Sequence, residues 1–263
     1  MNTAPDGSPV ELYARLRPAG EPELITSALP PGASVLELGC GTGRIADALA
    51  ALGHPTTGVD QSAAMLAHVH RATPVLANIQ GLDLGRRFEG VLLASHLVNA
   101  ADPVQRRAFL ATCARHIAPG GVVLVERHDP AWAAQVDDGP LGERDGVRFA
   151  LEGVTRNGDR LSATSVYVID GRKLRHRWTA QILDDDALDR ELAAVGLTRV
   201  RFLDPEATWV LCAAHPGRPR GGRDDRVLWD RDRSTFPDRQ PRGRRRPSPP
   251  RRDDQEAERQ DPP

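Results

Sequence analysis

The residue types best suited to holding a ligand fall between Val35 and Arg44, where the chain reads VLELGCGTGR. Gly39, Gly41 and Gly43 alternate with other residues directly after a short apolar run, and Glu37 stands two positions before the first of them. Glycine lets a ligand approach the backbone closely and tolerates tight turns. The stretch therefore reads as a strand, a ligand-binding turn and the opening of a helix. Asp60 is the second such residue, closing another apolar run in TGVDQS.

The neighbours of these glycines decide between ligands. A phosphate-binding P-loop ends in Gly-Lys-Ser/Thr, whereas Gly43 is followed by Arg44 and Ile45. A dinucleotide fingerprint is GxGxxG, with a pyrophosphate against a helix N-terminus; here the spacing is GxGxG and Glu37 places an anion beside the loop. That anion repels pyrophosphate and attracts a cation. S-adenosylmethionine, which has no phosphate and carries an ammonium and a sulfonium, suits the loop better. Asp60 lies where an acidic residue meets ribose hydroxyls in dinucleotide-binding folds, and a carboxylate can accept both hydroxyl protons. Asp is also a good helix cap, but Ser62 is available for that task.

These motifs need a sheet to hold them. Helical spacing is expected over 8–16 and 21–29. A regular alternation follows: strands at Ser34–Leu38, Thr56–Val59, Thr73–Ala77, Phe88–Ala94 and Gly121–Arg127, with helices at Arg44–Leu52, Ser62 to about Ala72, and Pro103–Ile117. Strand and helix in alternation argue for a parallel sheet covered on both faces. After Gly146 the pattern changes to three strand-like runs, Val147–Thr155, Leu161–Ile169 and Arg172–Leu183, joined by Asn157-Gly158-Asp159 and Asp170-Gly171, which are hairpin residues. In the third run Leu174, His176, Trp178 and Ala180 share one face, and Arg175, Arg177 and Gln181 the other. A helix over Asp184–Val195 and strands at Leu197–Leu203 and Thr208–Ala213 complete the pattern.

VLELGCGTGR, GVDQSAAML, FEGVLLASHLVN and the helix leading to APGGVVLVER together resemble the successive motifs of the class I SAM-dependent methyltransferases, over roughly residues 10–214. The resemblance implies an α/β fold: a Rossmann-like seven-stranded sheet whose last strand runs antiparallel, here with a three-stranded antiparallel insertion at 129–183. It divides the chain into an N-terminal helical cap segment (1–33), a SAM-binding domain (34–215) and a tail (216–263). It implies that Glu37, Gly39, Gly41 and Gly43 cradle the methionine half of the cofactor, that Asp60 holds the ribose, and that Gln61 and Met65 border the adenine. Asn78 stands where many relatives have an acidic residue for the adenine amino group; Ile79 and Ser95 complete the set. Tyr13, in YARLRP, is either the tyrosine with which similar enzymes cover the cofactor or part of an amphipathic surface helix.

An activated methyl donor asks mainly for alignment of a nucleophile and exclusion of water, with a base where the nucleophile arrives protonated. His96, after the fourth strand, is the first candidate base, because imidazole titrates near neutrality. His128, after the fifth, is the second, with Asp129 beside it; both are otherwise loop or capping residues. His54, His68, His70 and His116 are expected at the surface, and Arg44 either reaches the cofactor carboxylate or is solvated. No NPPY-like motif follows the fourth strand, which favours a small-molecule acceptor over a nucleic-acid base. The insertion would roof its pocket or form a homodimer surface.

Composition bounds the rest. The 263 residues carry 35 Lys+Arg against 36 Asp+Glu, yet residues 216–263 hold 14 Arg, 10 Asp+Glu and 9 Pro, so the tail is basic and the body mildly acidic. Having so few apolar residues, that tail is expected to be disordered. Arginine there would bind nucleic acid through salt-dependent phosphate contacts, an alternative that would make the chain a nucleic-acid-associated SAM-binding protein or an RNA methyltransferase. Ten acids and a single tryptophan make the tail a poor nucleic-acid surface. A nicotinamide-dependent oxidoreductase is disfavoured by GxGxG and Glu37. Cys40, Cys113 and Cys212 form no CxxC pair, so no metal site is expected; a reducing cytoplasm fits, and no apolar run reaches bilayer length. Deleting residues 216–263 is expected to leave the melting temperature and any methyl transfer unchanged; a fall in either assigns the tail a role.

Overall fold

Strands apolar at successive positions are strands covered on both faces, and the core of this protein is built from them. The computed structural model describes residues 3–215. Two short helices, α1 (Val10–Arg15) and α2 (Glu21–Thr26), precede strand β1 (Val35–Leu38). Then follow α3 (Ala46–Ala51), β2 (Thr56–Asp60), α4 (Ala63–Leu66), β3 (Thr73–Leu76) and β4 (Phe88–Leu93). A 3-10 turn at Leu97–Asn99 leads to α5 (Pro103–His116) and β5 (Ile117–Glu126). Next come α6 (Pro130–Gln135) and four consecutive strands, β6 (Gly139–Arg144), β7 (Val147–Asn157), β8 (Arg160–Ile169) and β9 (Arg172–Gln181). Helix α7 (Asp185–Ala194) and strands β10 (Leu197–Phe202) and β11 (Trp209–Ala214) close the described chain. The tail expected to be disordered lies outside the described residues.

Seven strands form one sheet in the order β10-β11-β5-β4-β1-β2-β3. All its pairings are parallel except those of β11, which runs antiparallel to β5 and β10, as expected of the last strand. Strand order reverses between β1 and β4, so the loops after their carboxyl ends lead away to opposite faces and leave a crevice between them. Alternation along each strand splits the core in two. Leu36, Leu38, Val91, Leu93, Val123 and Val125 pack with Leu110 of α5 and Leu188 and Leu192 of α7. Val35, Leu92 and Leu124 pack on the other face with Ile25, Ile45 and Leu49. Glu37 falls in phase with Val35 and is therefore carried into the interior.

The helices begin where their caps dictate. Asp102 accepts from the Val104 N–H (2.9 Å) with Pro103 at the first helical position, and Asp184 accepts from the Ala187 N–H (2.7 Å). The helix expected from Ser62 to Ala72 is a single turn, Ala63–Leu66. The Asp47 carboxylate accepts from the N–H groups of His70, Arg71 and Ala72 and holds that stretch as a loop instead. Two histidines expected at the surface are buried: His54 Nδ1 meets the Ala33 carbonyl, and His116 lies between the Thr112 carbonyl and the Leu84 N–H.

The insertion has four strands rather than three, in the order β6-β7-β8-β9. β6 was not expected because GPLGER combines proline, two glycines and charge, and it pairs as an exposed edge with a register shift. One face of this sheet carries Val147, Tyr167, Ile169 and Leu174 against Leu12 of α1, and Leu151, Leu161 and Ala163 against Ala133 and Val136.

Arg127 joins this architecture at the end of β5. It is 1% exposed, and its guanidinium donates to the carbonyls of Ala207 and Leu183 (both 2.9 Å) and to Asp185 (2.6 Å). Arg127→Met is expected to lower stability by about 3 kcal/mol, since it strands the buried Leu183 carbonyl and the half-buried Ala207 carbonyl and removes a charge partner. Denaturant unfolding checks this, and a loss below about 1 kcal/mol would show that the three acceptors find other donors.

Candidate functional site

The crevice at the strand reversal opens into a cavity of about 580 Å³. Its lining brings together Tyr13, Glu37, Gly39, Gly41, Asp60, Gln61, Met65, Asn78, Ile79, Ser95, His96 and His128, twelve of the thirteen site residues proposed from sequence. Gly43 is the exception. It faces a second pocket behind the loop, at φ +80°, where an added Cβ would lie 3.0 Å from a Val69 methyl. Its glycine lets the loop turn into α3 with Val69 packed against it. Gly39, at φ +74°, is also required locally, because a Cβ there would stand 2.5 Å from Leu97, part of the turn after β4.

The loop is held from below by β2. The N–H groups of Gly39 and Cys40 both donate to the Val59 carbonyl (2.8 and 2.9 Å). Asp60 then ties loop to helix: Oδ2 accepts from the Gly41 N–H (2.9 Å) and Oδ1 from the Ser62 N–H (2.8 Å). Ser62 caps α4 through Met65. Each Asp60 oxygen retains acceptor capacity toward the cavity. Burial raises its carboxyl above the usual range, and the two N–H groups counter that.

Glu37 is buried and its Oε2 has no hydrogen-bond partner. Burial pushes its carboxyl up to about 8, against the attraction of Arg44, and Glu126 and Asp60 add to the rise. Arg44 does not pair with it; that guanidinium donates to Glu21 of α2 (2.5 Å). With Asp6 and Asp60, all the cavity's carboxylates sit at this end. The end therefore suits a cation.

Tyr13 overlies the loop, with the Thr42 hydroxyl donating to its carbonyl (3.0 Å). Burial raises its phenol far above neutrality, and neighbouring Tyr167 adds to that, so it is not a base. Asn78 does not stand free: its amide donates to Gln61 (3.4 Å) and accepts from the Gln80 N–H (2.8 Å).

The other end is aromatic. The His96 and His128 rings stack at 4.1 Å, and His128 stacks in turn on Trp132 and Trp178, each at 5.6 Å. Burial, with a contribution from His96, pushes the His128 imidazole down to about 3. Its ring is thereby held neutral near pH 7, packed in the aromatic wall. His96 keeps its candidacy. Its Nδ1 is buried without a partner, leaving Nε2, 4.0 Å from Glu126 Oε1. Glu126 Oε2 accepts from the Ser95 N–H (2.6 Å) and so fixes the turn in which Ser95 and His96 both adopt left-handed backbone. Asp129 caps α6 through the Ala131 N–H and is committed there.

The sequence reading missed Glu126, Trp132 and Ser165, whose hydroxyl accepts from the Trp178 indole (2.8 Å). Trp132 stands in α6 and His128 ahead of the Asp129 cap, so no helical spacing pairs them.

Residues 35–121 match the family model described as methyltransferase domain. Over 115 residues the chain is 32% identical to the dTDP-3-amino-3,4,6-trideoxy-alpha-D-glucopyranose N,N-dimethyltransferase of Streptomyces venezuelae, covering 42% of this chain and 47% of that one. Over 108 residues it is 33% identical to the ubiquinone biosynthesis O-methyltransferase of Caulobacter vibrioides, covering 36% and 40%. The match thus spans less than half the length of these two relatives. The CcbJ methyltransferase of Streptomyces caelestis superposes with a TM-score of 0.64 at 24% identity, covering 77% of this chain and 92% of that one. That likeness is one of fold, Rossmann-like with the sheet described above.

Glu37 gives a test that needs no ligand. A carboxyl raised from 4.5 to about 8 binds a proton more tightly folded than unfolded. Its contribution to stability is full below pH 4.5 and is lost as pH rises through about 8. Glu37→Gln is therefore expected to gain stability relative to wild type across pH 5–8, read from paired melting curves; a constant difference would mean that Glu37 is ionised throughout.

Proposed function

We propose that this protein is an S-adenosylmethionine-dependent methyltransferase that delivers a methyl group to an oxygen or nitrogen of a small molecule. The single observation that carries the reading is the pairing, in one cavity, of a buried Glu37 carboxyl whose Oε2 has no hydrogen-bond partner with the Asp60 carboxylate beyond the glycine loop. The cofactor fits both: its ammonium supplies the charge that Glu37 lacks, and its ribose hydroxyls are donors for the free acceptor capacity of Asp60. The methyltransferase-domain match over 35–121 spans both residues. The two named relatives act, by their names, on a nucleotide-linked amino sugar and in ubiquinone biosynthesis, and a small acceptor suits a cavity of this size.

When bound, S-adenosylmethionine supplies a methyl group on a sulfonium, whose departure leaves a neutral thioether. The chain's own residues then have three tasks. Gly39 and Gly41 let the backbone close on the donor, and Tyr13 covers it from α1. His96 takes the proton that the acceptor's O–H or N–H gives up, with the Glu126 carboxylate 4.0 Å away to meet the imidazolium that forms. His128, Trp132 and Trp178 form a wall that excludes water and turns the acceptor toward the methyl.

Calorimetric titration with S-adenosylhomocysteine tests the cofactor reading. Binding should weaken roughly 10- to 100-fold in Asp60→Ala, as expected for the loss of hydrogen bonds to a charged group, about 1.5–3 kcal/mol each. Binding near pH 7 should also release a proton as Glu37 ionises, seen as a dependence of heat on buffer, and Glu37→Gln should abolish that release. No binding to folded wild type would remove the methyltransferase reading.

A further inference from the structure

Asn99 is 2% exposed, yet it lines the cavity. Its side chain bonds to two elements that nothing in the local sequence would join. Oδ1 accepts from the backbone N–H of His128 (2.8 Å), and Nδ2 donates to the carbonyl of Gln181, the last residue of β9 (2.7 Å). Its own backbone N–H donates to the His96 carbonyl (2.8 Å), and the next residue, Ala100, bridges to Ala180. The partners are one fixed donor and one fixed acceptor, so only one orientation of the amide satisfies both.

We propose that Asn99 is a positioning residue: it holds the stacked His96–His128 pair in place by clamping the turn after β4 to the segment after β5 and to the roof strand β9. The proposal rests on the reading of His96 as the proton acceptor. Its physical basis is strain. Ser95 and His96 lie at φ 54° and 58°, a region that costs a non-glycine residue on the order of 1–3 kcal/mol and persists only when the surroundings over-determine it. Glu126 secures one side of that turn through the Ser95 N–H; the main-chain N–H at position 99 closes the other on the His96 carbonyl, and the Asn99 amide anchors that end to His128 and Gln181. The ring contact of 4.1 Å then needs the His128 backbone at a fixed height, which the Oδ1 bond sets. Only a side chain with a donor and an acceptor on one carbon serves both partners. Asp would turn an oxygen toward the Gln181 carbonyl, and an apolar residue would strand both groups.

The test reads the rings directly. In wild type, the carbon-bound ring protons of His96 and His128 should be shifted upfield by mutual stacking and by the two indoles. In Asn99→Asp, which keeps the bond to His128 and loses that to Gln181, these shifts should shrink. In Asn99→Ala they should collapse toward unstacked values. Unshifted ring signals in wild type would overturn the proposal whatever the variants do. Folded variants with wild-type ring shifts would overturn it equally, leaving Asn99 a packing residue. If Asn99→Ala does not fold, the Asp variant, which retains one bond, decides the matter. The ring measurements require neither cofactor nor acceptor, so a failure of wild type to bind S-adenosylhomocysteine counts against the methyltransferase reading and leaves this one standing.

Discussion

A carboxylate carried into a protein interior without a cation raises the free energy of the fold, and this chain keeps one at the centre of its sheet. Glu37 lies on β1, buried at every position, in phase with Val35, with one oxygen that no hydrogen bond satisfies. Arg44 is engaged by Glu21. The buried acid is thus left to accept a proton or a positively charged ligand. The rest of the binding end follows from that choice: a loop with glycines at the closest approach, a second carboxylate on the adjoining strand, and a tyrosine above them.

Most of this end was legible in the sequence because it is local. Glu37, Gly39 and Gly41 lie within five residues, and the apolar runs around them place loop and acid at the carboxyl ends of neighbouring strands. The sheet was legible for the same reason, since strands covered on both faces read as apolar runs and β11 as the partner of a hairpin. What was not legible depended on contacts between distant segments. The depressed imidazole of His128 comes from burial, to which His96 adds, and one of the rings stacked on it, Trp178, lies 50 residues on, where no local pattern announces it. His116 seemed a surface residue because it ends a polar helix, yet the Leu84 N–H across the fold claims its ring. β6 was hidden because its proline and glycines speak against a strand, and only pairing with β7 overrides them.

The two ends of the cavity are built on different physics. Near the glycine loop the groups are charged and pinned by backbone hydrogen bonds; at the far end they are flat rings set by packing. His96 sits at the junction, on a strained turn supported by Glu126 and Asn99, so its position reports on both.

The four-stranded sheet has apolar clusters of its own, shared with α1 and α6 and distinct from the two that flank the seven-stranded sheet. Two separate cores mean two separable sets of constraints. Substitutions that resculpt the roof alter the aromatic end of the cavity while Glu37, the glycine loop and Asp60 keep their packing, and only Tyr13, which packs on the roof cluster, feels both. Within this architecture, the choice of acceptor can drift over evolutionary time without endangering the capacity to fold or to hold the donor.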